Sequence, residues 1–154
     1  MVCRYPIWHS LDDRLECALD IDDIKSRLGT GFEPMVYEVE KGMVHRFVQA
    51  IGDLNPRWQK VAPPTFLLTI GVEQVQQKFF SSFPEATGLH GGSEIECYQP
   101  VRAGDVLMAT HEVTNVRERR GKRGTMVFIT IETTHKDQKQ ELVAKCRQLV
   151  ILYW

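Results

Sequence analysis

The chain has 154 residues and a mass of 17.7 kDa, the usual size of one globular domain. Hydrophobic residues make up 43% and charged residues 25%, a composition that excludes a mostly disordered chain. The 19 basic and 20 acidic side chains give a net charge of −1, so we expect no nucleic-acid partner. No apolar run approaches the length of about 20 residues that a bilayer span requires, and we predict no membrane association.

The N-terminal segment and the cysteines indicate a cytoplasmic protein. Pro6 and His9 interrupt the N-terminal segment before an apolar stretch forms, so we expect no secretory signal. The four cysteines are scattered and form no CxxC pair, which favours free thiols in a reducing compartment over a disulfide framework. No pair of histidines has metal-ligand spacing with a third ligand nearby, and we predict no metal site.

Residues 1–35 give the weakest secondary-structure signal in the sequence. A candidate N-cap at Ser10 and the helical spacing of apolar residues over 20–28 predict two short helices. Gly29 is well placed to end the second one. We interpret residues 1–35 as a helical extension and residues 36–154 as the main domain.

The next segment contains a strand and two helices. Residues 36–40 alternate like a strand, and apolar side chains at 3.6-residue spacing predict a helix over 41–51 that ends at Gly52. A second helix is predicted over 64–80, because Pro64 is well placed at a helix start. Apolar side chains surround this helix nearly completely, which is typical of a buried helix.

The C-terminal half has the pattern of consecutive β-strands. Stretches rich in Val, Ile, Thr and Phe alternate with short polar turns. The predicted strands cover residues 93–99, 106–116, 125–134 and 141–154. Strands joined by short turns are antiparallel, and a buried helix before them predicts an α+β fold with the sheet wrapped around that helix. Residues 125–134 are apolar on both faces, so we expect a second protomer to cover one face or an edge of the sheet.

Asp53 and Asn55 are the polar residues best placed for chemistry. They directly follow the helix over 41–51, where such side chains commonly bond to nearby backbone in a capped helix end or an Asx turn. Alternatively, Asp53 acts as a general acid/base in a pocket, with Asn55 holding a water or a carbonyl group. The residues themselves leave both interpretations open.

Several segments around these residues resemble one known family. Residues 52–56, Gly-Asp-Leu-Asn-Pro, are similar to the signature Gly-Asp-x-Asn-Pro-x-His of MaoC-like enoyl-thioester hydratases, which have the hotdog fold. Residues 62–66, 89–96 and 100–105 also resemble the MaoC dehydratase N-terminal type of domain. That group includes non-catalytic subunits of hydroxyacyl-carrier-protein dehydratases. The resemblance covers residues 36–154 and leaves the N-terminal extension out.

The resemblance implies a single hotdog fold, in which an antiparallel sheet wraps around the long central helix over 64–80. It also implies a dimer with an acyl-thioester site at the interface, either a homodimer or a heterodimer with a catalytic hotdog subunit. The chain then needs no cofactor of its own, because coenzyme A or phosphopantetheine arrives with the substrate.

The sequence departs from the family at the position of the catalytic histidine. In active members, an Asp and a His five residues later activate the water that adds to or leaves the acyl chain. Here the residue five positions after Asp53 is Trp58, and an indole cannot accept a proton at neutral pH. The family's oxyanion site uses a backbone N–H at the start of the central helix. Pro63 and Pro64 have no N–H to offer there, which leaves Thr65 as the donor.

His90 is the candidate substitute for the missing base. It precedes Gly91 and Gly92 where a strand is predicted to start, and the resemblance gives this position a structural role. We keep both interpretations of His90, a structural residue and a catalytic base. His45 falls mid-helix between apolar neighbours and is predicted to be a partly buried packing residue, while His135 is predicted to lie in a turn.

Residues 117–123 hold five basic side chains between two predicted strands. A solvated hairpin tip is one interpretation of this segment. The other is a docking point in which Arg119, Arg120 and Arg123 bind a phosphate of coenzyme A or acyl carrier protein, because the guanidinium group matches phosphate geometry.

Three functions therefore compete. The first is a subunit of a MaoC-like hydratase or dehydratase that binds the acyl thioester, with Trp58 lining the pocket, while a His-bearing partner performs the chemistry. The second is a homodimeric enoyl-CoA hydratase that uses Asp53 with a substitute base such as His90. The third is a hotdog protein that binds acyl thioesters or a partner protein without catalysis. The sequence alone leaves open whether the chain is an enzyme.

Overall fold

The computed structural model describes residues 21–29, 31–83, 86–121 and 124–153. Its sheet has five strands in the order β1-β3-β4-β5-β2, and every neighbouring pair is antiparallel. The strands are β1 Met35–Glu38, β2 Thr87–Cys97, β3 Val106–Gly121, β4 Gly124–Lys136 and β5 Leu142–Tyr153. The α-helices are α1 Ile21–Ser26, α2 Lys41–Ile51 and α3 Val72–Lys78. Three 3₁₀-helices cover Pro56–Gln59, Pro64–Thr69 and Phe80–Ser82.

The inner face of the sheet forms one side of the core. Every second residue of β4 is buried, and Val127, Ile129 and Ile131 are at most 3% exposed. The alternate residues of β4, such as Met126 and Phe128, are half-buried on the outer face. The segment between α2 and β2 covers the inner face, and its buried apolar side chains are Ala62, Phe66, Leu67, Ile70, Val75, Phe79 and Phe83. The predicted α+β class is thus confirmed.

Helix α2 has the predicted bounds, Lys41–Ile51. Gly52 ends it in the left-handed conformation, with a φ of 67°, and its N–H donates back to the last turn of the helix. Val44 is buried, and Phe47 packs edge-on against Phe66 with a centroid distance of 5.6 Å. This packing fixes the end of α2, where the candidate site begins.

The predicted helix over 64–80 is divided into two segments. Pro64–Thr69 is a 3₁₀-helix, and before α3 starts Ile70 is extended and Gly71 is left-handed, with a φ of 81°. The imidazole of His111, on β3, lies directly against Gly71: a Cβ atom added to Gly71 would stand 2.0 Å from His111 Nε2. The ring therefore occupies the space that a side chain at position 71 would need, and only glycine fits there.

The described part of the N-terminal extension packs onto the sheet. Ile24 of α1 is fully buried in the core, and Gly31 pairs with Glu112 of β3. The second helix predicted in this segment is present as α1, whereas the first, near Ser10, lies outside the described residues. The domain boundary at residue 35 stays a prediction. Across the described ranges, no helix is long and apolar enough to cross a membrane.

Two histidines are buried in the middle of the inner face. His111 on β3 is 2% exposed and His135 on β4 is 0% exposed. His111 Nδ1 lies 2.8 Å from Thr133 Oγ1, whereas His111 Nε2 and both ring nitrogens of His135 have no hydrogen-bond partner among the described residues. The prediction that His135 lies in a turn is wrong, because β4 continues to Lys136. The sheet thus buries the imidazole of His135 without a hydrogen-bond partner in the described part of the chain.

We expect acid to destabilise the fold through His135. Burial lowers the pKa of His135 to about 4, and the neighbouring His111 adds to the lowering. The unfolded chain, with an ordinary histidine pKa near 6.5, takes up this proton at a higher pH than the folded chain. The stabilising contribution of neutral His135 is therefore fully present above about pH 6.5. As the pH decreases the free energy of unfolding falls, and below about pH 4 it is lower by about 3 kcal/mol.

Urea unfolding at pH 7.5 and at pH 5.0, at one protein concentration, measures this effect. Over that interval the wild type should lose about 2 kcal/mol more than His135→Leu. The leucine variant should be as stable as the wild type at pH 7.5, because neither ring nitrogen of His135 has a partner within the described chain. His45→Gln, at an exposed histidine, is the matched control and should keep the wild-type acid sensitivity. Equal acid sensitivity of His135→Leu and the wild type would contradict the prediction.

Candidate functional site

The loop after α2 brings Asp53, Asn55 and Trp58 together, and these three residues are called the Trp58 loop below. Asp53 Oδ1 accepts a hydrogen bond from the backbone N–H of Asn55 at 3.0 Å, which forms an Asx turn. Asp53 Oδ2 accepts the indole N–H of Trp58 at 2.6 Å. The side-chain oxygen of Asn55 accepts the backbone N–H of Arg57 at 3.0 Å and caps the 3₁₀-helix Pro56–Gln59.

The Trp58 loop holds a carboxylate without a proton-accepting partner. Both carboxylate oxygens of Asp53 accept a hydrogen bond, and one of the donors is the indole of Trp58. An indole donates through its N–H and accepts no proton at neutral pH. This geometry matches the interpretation of Asp53 and Asn55 as turn residues that bond to nearby backbone. The loop contains no pair of side chains that can act as general acid and general base.

Two cavities meet at Trp58. One, of about 320 Å³, lies between the 3₁₀-helix Pro64–Thr69 and the end of β2 and is called the Tyr98 cavity. The other, of about 760 Å³, lies along α2 and is called the Lys41 cavity. Trp58, Val61 and Ala62 line both cavities. Trp58 is therefore a lining residue that the two neighbouring cavities share.

The start of the central helical segment borders the Tyr98 cavity. Pro63 and Pro64 line this cavity and have no N–H to offer to it. Thr65 follows them, with an exposed side chain, at the second position of the 3₁₀-helix. The first N–H groups of a helix have no partner within it, so Thr65 carries the first backbone donor of this segment.

His90 lies in a different cavity from the Trp58 loop. It is an exposed residue within β2, and its Nε2 is 3.2 Å from Ser93 Oγ. The side chain lines a cavity of about 430 Å³ together with His111 and mainly apolar residues of α3 and β5. This His90 cavity has no lining residue in common with the two cavities at Trp58. Within one chain, His90 and Trp58 therefore line different cavities.

The basic segment predicted over residues 117–123 is called the basic hairpin below. Its described part, residues 117–121, forms the end of β3. Arg119 and Arg120 are exposed, and Arg120 Nε is 2.5 Å from a carboxylate oxygen of Glu118, so its charge is partly neutralised. Arg119 borders a cavity on the outer face of the sheet that shares no lining residue with those at Trp58. Arg123 lies outside the described residues. The structure thus separates the hairpin from the Trp58 loop.

The basic residues of the Lys41 cavity were not among the predicted site residues. The prediction that His45 is a packing residue is wrong, because its side chain is exposed and lines this cavity with Lys41. The spacing of these two residues places them on one face of α2, which is a signal that the sequence carries. Lys60 and Arg102 join them only in the folded chain. Among the described residues, no group of three or more His, Cys, Asp or Glu is placed to hold a metal ion.

This chain is similar to a known protein family, to other proteins and to solved structures. The family described as FAS1-like, dehydratase domain region, matches residues 26–146. A UPF0336 protein of Streptomyces coelicolor is 27% identical, and the match covers 63% of this chain and 75% of that protein. A solved MaoC-like dehydratase is 25% identical with a TM-score of 0.72, and the match covers 83% of this chain and 42% of that longer chain.

A solved complex is structurally similar to this chain to nearly the same degree. The C-terminally truncated HadBC complex, a 3R-hydroxyacyl-ACP dehydratase from Mycobacterium tuberculosis, gives a TM-score of 0.68 at 22% identity, with 81% of this chain and 96% of that chain covered. The matched family region contains the Trp58 loop and all lining residues of the Tyr98 and Lys41 cavities. This chain therefore belongs to the FAS1-like dehydratase-region family and has the hotdog fold of the MaoC-like dehydratases.

Proposed function

We propose that the chain is an acyl-thioester-binding subunit of a MaoC-like hydratase or dehydratase, and that a hotdog partner with both Asp and His performs the chemistry. The observation that carries this proposal is the 2.6 Å hydrogen bond from the indole N–H of Trp58 to Asp53. In the family signature, this position belongs to the histidine that works with the aspartate. In this chain Trp58 occupies the position, and its indole donates a hydrogen bond to Asp53 and accepts no proton from a substrate or from water.

The free edge of β2 supports assembly with another hotdog chain. Among the described strands, β2 is an edge strand of 11 residues. Near this edge, Leu89, Tyr98 and Tyr153 are 50%, 52% and 40% exposed. An unpaired strand edge with exposed apolar side chains is typical of a surface that another chain covers. HadBC is itself a complex, which favours a corresponding pairing here, with a second copy in isolation or with the catalytic subunit.

The other candidate residues then serve binding. The backbone N–H of Thr65 donates to the thioester carbonyl, Asn55 shapes the loop, and Trp58 provides an apolar wall for the acyl group. The carrier is coenzyme A or the phosphopantetheine of acyl carrier protein. We place the subunit in the cytoplasm, because the two described cysteines, Cys97 and Cys146, are free thiols.

Binding of S-octanoyl-pantetheine tests this proposal, because the ligand carries the thioester and acyl chain but no phosphate. The wild type should show saturable binding by titration calorimetry, together with a change in tryptophan fluorescence. Trp58→Phe should keep the calorimetric binding and lose most of the fluorescence change. Pantetheine without the acyl chain is the matched control and should bind at least about tenfold more weakly, since each buried methylene contributes about 0.8 kcal/mol. Absence of saturable calorimetric binding would contradict the proposal.

A further inference from the structure

The Lys41 cavity carries a positive charge that acyl binding does not require. Its basic lining side chains are Lys41, His45, Lys60 and Arg102, and none of its lining residues within the described chain has a carboxylate. They come from α2, from the loop after the 3₁₀-helix Pro56–Gln59, and from the loop before β3. The cavity volume of about 760 Å³ is in the range of small-molecule sites.

These cations are not neutralised by their neighbours. Lys41, Lys60 and Arg102 form no ion pair with any described residue, whereas two exposed arginines of the sheet, Arg120 and Arg147, do. Asp105 is near Arg102 in sequence, but its carboxylate accepts the backbone N–H of Arg102 at 2.7 Å and closes a turn. The positive charge of the cavity is therefore available to a ligand.

Helix α2 contributes no acidic side chain to this cavity. Lys41 is its first residue, and its first turn contains no acidic side chain. The carboxylate of the N-cap residue, Glu40, makes no capping hydrogen bond and does not line the cavity. Three long cations around one cavity, with no carboxylate in its lining, indicate a site for phosphate.

One wall of the Lys41 cavity is apolar. Val44, Val48, Val61 and the ring of Trp58 line it, and Leu54 at its rim is 87% exposed. An organic ligand that carries phosphate covers this wall, whereas a free inorganic ion leaves it in water. The lining therefore favours an organic phosphate.

We infer that the Lys41 cavity binds the phosphate-bearing end of the thioester carrier. Lys60 and Arg102 donate charge-assisted hydrogen bonds to the phosphate, and the apolar wall covers the organic part. The identity of the carrier rests on the proposed function, while the anion site itself rests on the charges of this cavity. Because Trp58 lines both cavities, a phosphate bound here lies next to the Tyr98 cavity, which Pro63 and Pro64 line.

Calorimetric titration with coenzyme A, which has the phosphates but no acyl chain, tests this site. Lys60→Gln/Arg102→Gln should weaken coenzyme A binding by about tenfold at low salt, since each lost charge-assisted bond has a substantial effect. The loss should shrink as salt is raised. Arg46→Gln/Lys139→Gln removes two exposed cations that do not line the cavity and should bind coenzyme A like the wild type. Both variants should bind S-octanoyl-pantetheine unchanged.

Further measurements distinguish failure of the phosphate site from failure of the proposed function. Equal coenzyme A binding by the cavity variant and the wild type overturns the inference. So does a loss confined to Arg119→Gln/Arg120→Gln, which would place the phosphate at the hairpin. If coenzyme A binds through the cavity while S-octanoyl-pantetheine does not bind, the proposed function fails and the phosphate site stands. If only S-octanoyl-pantetheine binds, the proposed function stands and the phosphate site is wrong.

Two competitors identify which phosphate is bound. Competition by 4′-phosphopantetheine supports recognition of the phosphate that coenzyme A shares with acyl carrier protein. Competition by adenosine 3′,5′-bisphosphate alone supports recognition of the nucleotide end, which only coenzyme A has. Competition by neither compound overturns the inference.

Discussion

Purified without a partner, the chain should hydrate crotonyl-CoA about 10²–10⁴-fold more slowly than a hydratase that has an Asp/His pair. A positioned general acid/base contributes an acceleration of this size, and the indole of Trp58 provides none. Asp53→Asn should leave the residual rate nearly unchanged, because the Asp53 carboxylate is bonded to Trp58 and Asn55 rather than to a base. The loss of enoyl-thioester absorbance, followed at steady state, measures both rates.

Two further proteins complete this experiment. Trp58→His should recover only part of the missing rate, because the smaller ring packs more loosely and Pro63 and Pro64 still offer no N–H. Adding a hotdog subunit that has both Asp and His should restore turnover, with a mixed dimer visible by light scattering. Fast hydration by the wild type alone that collapses in Asp53→Asn would contradict the proposed function and make His90 the candidate base. A mixed dimer without turnover would favour binding without catalysis.

Gly71→Ala should lower the free energy of unfolding by about 2–5 kcal/mol, which is enough to unfold a marginally stable domain. Two costs add at this position. The left-handed conformation, with a φ of 81°, costs an alanine roughly 1–2 kcal/mol. The new methyl group would stand 2.0 Å from His111 Nε2, and relieving such overpacking costs roughly 1–3 kcal/mol more. Urea unfolding with a common slope measures the sum.

The chain supplies a matched control for each cost. Gly52 is also left-handed, with a φ of 67°, but a methyl group there meets nothing within 4 Å, so Gly52→Ala should show the backbone cost alone. In a His111→Ala background, Gly71→Ala should lose the overpacking cost and become about as mild as Gly52→Ala. A double-mutant cycle over positions 71 and 111 isolates this coupling. If Gly71→Ala is already as mild as Gly52→Ala in the wild-type background, His111 does not restrict the helix.

The sequence by itself determined the features that depend on neighbours along the chain. The 3.6-residue spacing and Gly52 predicted both ends of α2, because amphipathic periodicity and a left-handed C-cap are local properties. The strand patterns and the resemblance predicted the hotdog sheet. The Trp58 loop contains Asp53, Asn55 and Trp58 within one short segment. Their turn hydrogen bonds and the absence of the histidine could therefore be predicted without any tertiary contact. The local signals also placed Thr65 at a helix start.

Only the tertiary structure decided the features that join distant segments. The continuous helix expected over 64–80 is interrupted at Ile70 and Gly71, where a ring from β3 occupies the side-chain space of Gly71, and periodicity within the helix carries no trace of that ring. His135 is a polar residue next to a turn in sequence, yet the extended β4 ladder carries it into the core. The Lys41 cavity gathers charges from α2 and two loops. Burial and electrostatic potential are sums over all neighbours in space, and the fold alone sets which neighbours those are.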